Sequence, residues 1–308
     1  MSAPVPLHGI VPSLNTPFSA ADGIDRDGIA RLVEHSIGAG CGGLLALAVA
    51  GETGALTADE RQALLDTIMA ASDGRLPVVV GVSAATVAAS ATYARHAATA
   101  GAFAVLWQPP AGLDHEQLEA ALHELGSRGP GLVMLQDLDW QGDGLPVEVI
   151  ATLFERVSAF RAIKIETVRA GPKYTAVLEA TGGRLHVSGG WAVTQMIEAL
   201  ERGVHAFMPT GMEAVYCAIH RAFAEGRLDA ARGIFQEALP ALVFANQHID
   251  VSIRFFKHLR RESGLFATER CRPPVAPLDH FQQRSAEQLV RDAILLEARL
   301  SETAASRR

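Results

Sequence analysis

The sequence predicts an α/β fold of the (β/α)₈ (TIM) barrel class, carrying a C-terminal helical extension. Short apolar runs and longer helix-patterned segments alternate eight times between Leu7 and Glu225, which is the pattern of repeated βα units. The runs are continuously apolar rather than alternating, as in parallel strands covered on both faces. No Gly-x-Gly-x-x-Gly fingerprint follows the first run and no Walker sequence occurs, so an open, doubly wound nucleotide-binding sheet is the poorer fit.

The strands are expected at residues 10–14, 43–48, 77–82, 104–107, 131–136, 162–165, 185–188 and 206–208. Helices are expected between them at 27–37, 58–71, 87–100, 116–125, 147–157, 172–180, 193–202 and 213–225. Start signals support several of these: Thr57 with Glu60 forms a capping box, Asp114 with Gln117 a similar one, and Pro146 suits a first helical position. Gly40, Gly101 and Gly203 follow helices and suit left-handed C-terminal caps. Residues 1–225 are thus read as the barrel and 226–308 as the extension, with helices at 229–247, 252–262 and 286–301 and a proline-rich break at 272–277.

Composition narrows the partners. A net charge of −7 and a pI near 5.9, with no basic run, oppose a nucleic-acid or anionic-membrane surface. No apolar stretch of about 20 residues is present to span a bilayer. The first 18 residues lack a basic region and are broken by Pro4, Pro6, Pro12 and Pro17, so no signal peptide is legible. Cys41, Cys217 and Cys271 are scattered and odd in number, and read as reduced thiols of a cytoplasmic protein. A small molecule is the expected partner.

The chain has three lysines among its 27 basic residues, and Lys164 stands between two isoleucines with no turn residue near it. An amine desolvated on an apolar strand is a nucleophile for carbonyl carbon; the competing reading is a buried ion pair or a snorkelling stem. In a barrel the active site lies at the C-terminal ends of the strands. There the expected substrate-binding residues are Val49, Ala50 and Gly51 after strand two, Thr167 after strand six, Gly189 and Gly190 after strand seven, and Met208 at the end of strand eight. Small residues free backbone amides for a carboxylate, and a glycine-opened helix start attracts anions. Glu52 is either an acid/base group or a support for its loop. Gln136 ends strand five. His8, His186 and His205 have no acidic neighbours in sequence and no His-Glu-x-x-His cluster exists, so neither a metal nor another cofactor is expected.

These residues resemble the dihydrodipicolinate synthase and N-acetylneuraminate lyase family of Schiff-base-forming barrels. The likeness rests on Gly9 to Phe18 with its Thr16-Pro17-Phe18, on Gly51-Glu52 followed by Leu56-Thr57-Ala58-Asp59-Glu60-Arg61, on Ile163-Lys164-Ile165-Glu166-Thr167, and on Ser188-Gly189. It implies that Lys164 forms an imine with the ketone of pyruvate or a 2-keto-3-deoxy sugar acid, in a homotetramer or dimer. The departures matter equally. Where the family has Gly-Thr-Thr-Gly-Glu this chain has Ala48-Val49-Ala50-Gly51-Glu52, and Gln136 stands where a proton-relaying tyrosine is usual. The tyrosine after strand four and the arginine after strand five also have no counterpart. The expectation is therefore a lyase, an aldolase or a dehydratase, with Lys164 and Gln136 as catalytic residues. The alternatives are a keto-acid-binding barrel without turnover, a sugar-phosphate-binding barrel without imine chemistry, and dihydrodipicolinate synthase itself, against which the missing groups argue.

Overall fold

A computed structural model describes residues 5–305, so the first four residues of the N-terminal segment and the last three of the extension lie outside the description. Eight strands in one curled sheet alternate with helices in chain order, which makes the fold a (β/α)₈ barrel with helices continuing beyond it. The strands are β1 (Gly9–Ile10), β2 (Leu44–Ala46), β3 (Val78–Gly81), β4 (Ala104–Trp107), β5 (Val133–Asp139), β6 (Phe160–Thr167), β7 (His186–Gly189) and β8 (Ala206–Phe207). The intervening helices are α1 (Arg26–Ala39), α2 (Ala58–Ser72), α3 (Val87–Thr99), α4 (His115–Arg128), α5 (Val147–Arg156), α6 (Ala170–Ala180), α7 (Met196–Glu201) and α8 (Glu213–Ala224); the extension holds α9 (Leu228–Ala245), α10 (Ile249–Glu262) and α11 (His280–Ala305). Among the described residues, no helix is long and apolar enough to cross a membrane.

The chain divides into two compact units, residues 5–8 with 77–208, and 9–76 with 209–305. In the first, β3 to β8 pair in parallel in chain order. Val79, Val105, Leu135, Ile163 and Val187 are fully buried, the burial that continuous apolar strands require. The β5–β6 register decides what faces what. Val133 pairs with Phe160 but Met134 pairs with Ala162, so Arg161 is an extra residue in β6. This bulge brings Gln136 opposite Lys164; without it Gln136 would oppose Ile163, and every later side chain of β6 would face the other way relative to β5. The Arg161 guanidinium donates to the Phe154 carbonyl at 3.0 Å and lies over the Phe154 ring.

Both capping boxes form, at Thr57 with Glu60 and at Asp114 with Gln117, and Gly40, Gly101 and Gly203 all have positive φ. Several elements depart from the sequence expectation: β1 covers only Gly9–Ile10, β6 runs from Phe160 to Thr167 and α10 starts at Ile249, and three further departures have a local cause. Residues 191–195 form a 3₁₀ turn and α7 starts only at Met196; the β-branched Val193 and Thr194, three and four residues after Gly190, make a weak first helical turn. Pro146 is the cap of α5 rather than its first residue. Helix α11 starts six residues early, because Asp279 accepts from the amides of Phe281 and Gln282 while its own amide donates to the Gln282 side chain, a cap within the stretch read as loop.

The second unit carries β1, β2, α1, α2 and α8 to α11. Glu52 in this unit is 4% exposed and has positive φ. It pairs with the fully buried Lys257 and accepts from the Arg272 amide at 2.8 Å. Lys257 also donates to the Arg270 carbonyl at 2.7 Å and lies 4.3 Å from the centre of the Phe18 ring. Burial lowers the Lys257 ammonium below its ordinary pKa, and the Glu52 charge opposes this.

Candidate active site

Lys164 is the fifth residue of β6, 5% exposed, and three more strand residues follow it. In a parallel sheet, paired residues point to the same face, and along a strand so do residues two apart. Gln136 pairs with Lys164, and Lys164 with Ser188, so these three side chains form one row, with Glu166 on the same face beyond Lys164. The contacts bear this out. Lys164 Nζ lies 3.0 Å from Glu166 Oε2, and Gln136 Nε2 donates to the same oxygen at 2.6 Å. All three side chains are buried.

Gly190 completes the arrangement. A Cβ there would overlap the Glu166 carboxylate and stand 2.8 Å from Lys164 Cε, so only glycine leaves room for the pair. The glycine turn thus makes space for a carboxylate of the protein itself, an unfavourable place for a phosphate. Gly190→Ala is expected to fold but to lose about 10²-fold in kcat, the scale of a displacement of about 1 Å at a reacting group. Steady-state kinetics on the variant measures this, and an unchanged kcat would contradict the fit.

Beneath this row, His186 Nε2 lies 2.9 Å from the Leu7 carbonyl oxygen and Ser188 Oγ lies 3.3 Å from His186 Nδ1. A carbonyl only accepts, so the proton belongs on Nε2 and Ser188 donates to Nδ1. The ring stacks on His205 with centroids 5.0 Å apart, and His205 Nδ1 accepts from the Val187 amide at 3.0 Å. Burial, aided by His205, pushes the His186 pKa down to about 4. The unfolded chain therefore takes up the proton first. Stability from this group is complete above an unfolded-state pKa of about 6.5 and is lost as pH falls from there to about 4, in total on the order of 3 kcal/mol. Urea unfolding at pH 7 and pH 4.5 should show a larger loss for wild type than for His186→Gln; equal losses would refute the assignment.

The loop after β5 is built on two carboxylates. Asp139 accepts from the amides of Gln141, Gly142 and Gly144 at 3.0, 2.9 and 3.2 Å, and these donors, Gln141 first, hold its pKa below the usual carboxylate range. Asp137 is buried, pairs with Lys173 and accepts from the Leu145 amide; desolvation raises its pKa against the pull of Lys173. Lys173 also donates to the Asp143 carbonyl. The chain's three lysines are therefore all buried and ion-paired, so burial alone does not single out Lys164. Lys173 and Lys257 each tie a carboxylate to a backbone carbonyl, as struts do.

The remaining site candidates are placed as follows. Thr167 is buried at the end of β6 and its hydroxyl makes no hydrogen bond. Met208 is buried and its amide donates to the Gly189 carbonyl at 2.8 Å. In the second unit, Val49, Ala50 and Gly51 form a 3₁₀ turn. Asn15 donates to the Ala50 carbonyl at 2.9 Å and Thr16 to the Gly51 carbonyl at 2.6 Å. The Gly51 amide is engaged with the Ala48 carbonyl, and Val49 is 40% exposed. The Glu52 side chain pairs with Lys257 and accepts from the Arg272 amide. Sequence reading passed over Glu166. Its spacing of two from Lys164 on one strand was the available signal, since that spacing repeats the face.

The model of the Dihydrodipicolinate synthetase family matches residues 6–293. The chain is 30% identical over 287 residues to an L-2-keto-3-deoxyarabonate dehydratase of Azospirillum brasilense, covering 90% of this chain and 92% of that protein. A crystal structure of a putative dihydrodipicolinate synthetase from Pseudomonas aeruginosa superposes with a TM-score of 0.84 at 25% identity, covering 93% of this chain and 99% of that one. The sialic acid aldolase of Ruminococcus gnavus shares the fold, with a TM-score of 0.86 at 15% identity over 96% of this chain and all of its own.

Proposed function

The chain belongs to the dihydrodipicolinate synthetase family, and from that premise we propose that it dehydrates a 2-keto-3-deoxy sugar acid through an imine at Lys164. The observation that carries the reading is the Lys164–Glu166 pair, 3.0 Å apart and held by Gln136. Schiff-base lyase chemistry is the family's; the Glu166 carboxylate is what points it toward loss of water. The A. brasilense dehydratase is the relative that matches this reading in name.

Glu166 takes a proton from the Lys164 ammonium, and the free amine attacks the C2 ketone. The protonated Glu166 returns the proton to the carbinolamine oxygen, which leaves as water and gives the iminium. C3 is bonded to the iminium carbon, so a carboxylate beside Nζ is within reach of a C3 proton. Glu166 removes it, forming an enamine. It then protonates the C4 hydroxyl, which departs as water and leaves a conjugated iminium. Hydrolysis of that iminium restores Lys164. Gln136, in the place of the family's usual tyrosine, cannot exchange protons; it orients the carboxylate by donating to Oε2. Aldol cleavage instead begins with removal of the C4 hydroxyl proton and needs no base at C3, so a carboxylate beside Nζ and within reach of C3 favours dehydration. Gly189, Thr167 and Met208 are proposed to contact the substrate, each testable by its effect on KM. A homotetramer or dimer in the cytoplasm is part of the same reading, supported by the family resemblance and by three free cysteines.

Product analysis tests the proposal. Incubation with 2-keto-3-deoxy pentonates and hexonates should yield a product one water lighter. Pyruvate with an aldehyde as the main product would replace the dehydratase reading by an aldolase.

A further inference from the structure

In the second unit, α1, α8 and α11 bring together His35, Glu213 and Glu297, residues far apart in sequence. One ligand atom from each lies within 4.8 Å of the other two. His35 Nε2, Glu213 Oε2 and Glu297 Oε1 are buried and make no hydrogen bond; the 3.5 Å between His35 Nε2 and Glu213 Oε2 is long for one. The Glu213 side chain is fully buried. Buried polar atoms are nearly always satisfied, so three that converge without a hydrogen bond point to a ligand they can share.

The surroundings suit a ligand set. Arg260 holds the other oxygen of Glu213, and the Ala214 amide bonds to Glu297. Such outer contacts orient ligating carboxylates. The Glu213 carboxylate faces both the Arg260 guanidinium and the His35 imidazole, and Glu297 adds a second carboxylate to the group.

We propose that His35, Glu213 and Glu297 bind a structural divalent cation that ties α11 to α1 and α8. One imidazole and two carboxylates suit zinc, whereas magnesium favours oxygen donors alone. Zinc bonds to such donors are about 2.0–2.2 Å long, so the three side chains draw inward on binding, with water as the fourth ligand. The rival occupant is a proton shared among the same groups.

The test uses the full chain, stripped with chelator and titrated with Zn²⁺ by calorimetry, alongside thermal unfolding with and without the ion. One equivalent per chain and a raised Tm are expected. His35→Ala removes a half-buried ligand and Glu297→Gln preserves volume. Each should weaken zinc binding on the order of 100-fold or more while leaving borohydride trapping of pyruvate at Lys164 unchanged. No saturable binding, or binding equally tight in both variants, would overturn the proposal, the former in favour of the proton.

Discussion

Replacement of Lys164 by alanine should reduce turnover by on the order of 10⁴-fold or more, the scale on which loss of a covalent nucleophile is felt. The reason is positional as well as chemical. Lys164 is held by the Arg161 bulge in one row with Gln136 and Ser188, and its ammonium is 3.0 Å from the carboxylate that discharges it. Lys173 and Lys257 are as well buried, but each is occupied by a carboxylate and a backbone carbonyl, so neither replaces it. Removing one member of a buried pair leaves Glu166 without its counter-charge, which costs about 3–5 kcal/mol in such settings. The double variant Lys164→Ala with Glu166→Gln separates the two effects: it should recover stability and remain inactive. Recovery of activity, or an active single variant, would remove Lys164 from the mechanism.

Glu166→Gln should lower kcat by about 10²- to 10⁴-fold, the usual contribution of a general acid/base group. Imine formation with pyruvate should survive in it, although more slowly. The substitution is nearly isosteric, so Gly190 still accommodates the side chain. Rapid-quench and steady-state measurements divide the steps: the variant should accumulate the imine of a keto-deoxy acid without losing water from it. If elimination proceeds at the wild-type rate, the base lies elsewhere.

Much of this was legible in the chain. Eight continuous apolar runs bounded by caps give the strands and helices because both faces of each parallel strand are covered, and the capping boxes at Thr57 and Asp114 form from purely local chemistry. Lys164 stood out for the same local reason. What escaped the sequence depends on register or on tertiary contact. The Gln136 bond to Glu166 requires the one-residue bulge at Arg161, which no local signal marks. Gly190 reads as a substrate-binding glycine at a helix start until the Glu166 carboxylate is seen to fill the space of its missing side chain. Lys173 and Lys257 read as ordinary cations, since their partners Asp137 and Glu52 lie 36 and 205 positions away. The cluster of His35, Glu213 and Glu297 has no spacing motif because three separate helices supply it.

Borohydride reduction in the presence of pyruvate, followed by intact mass and peptide mapping, reaches the central claim most directly. The account predicts one reduced pyruvyl adduct per chain, carried on Lys164 and absent from Lys164→Ala. An adduct on Lys173 or Lys257, or none with any 2-oxo acid, would contradict it.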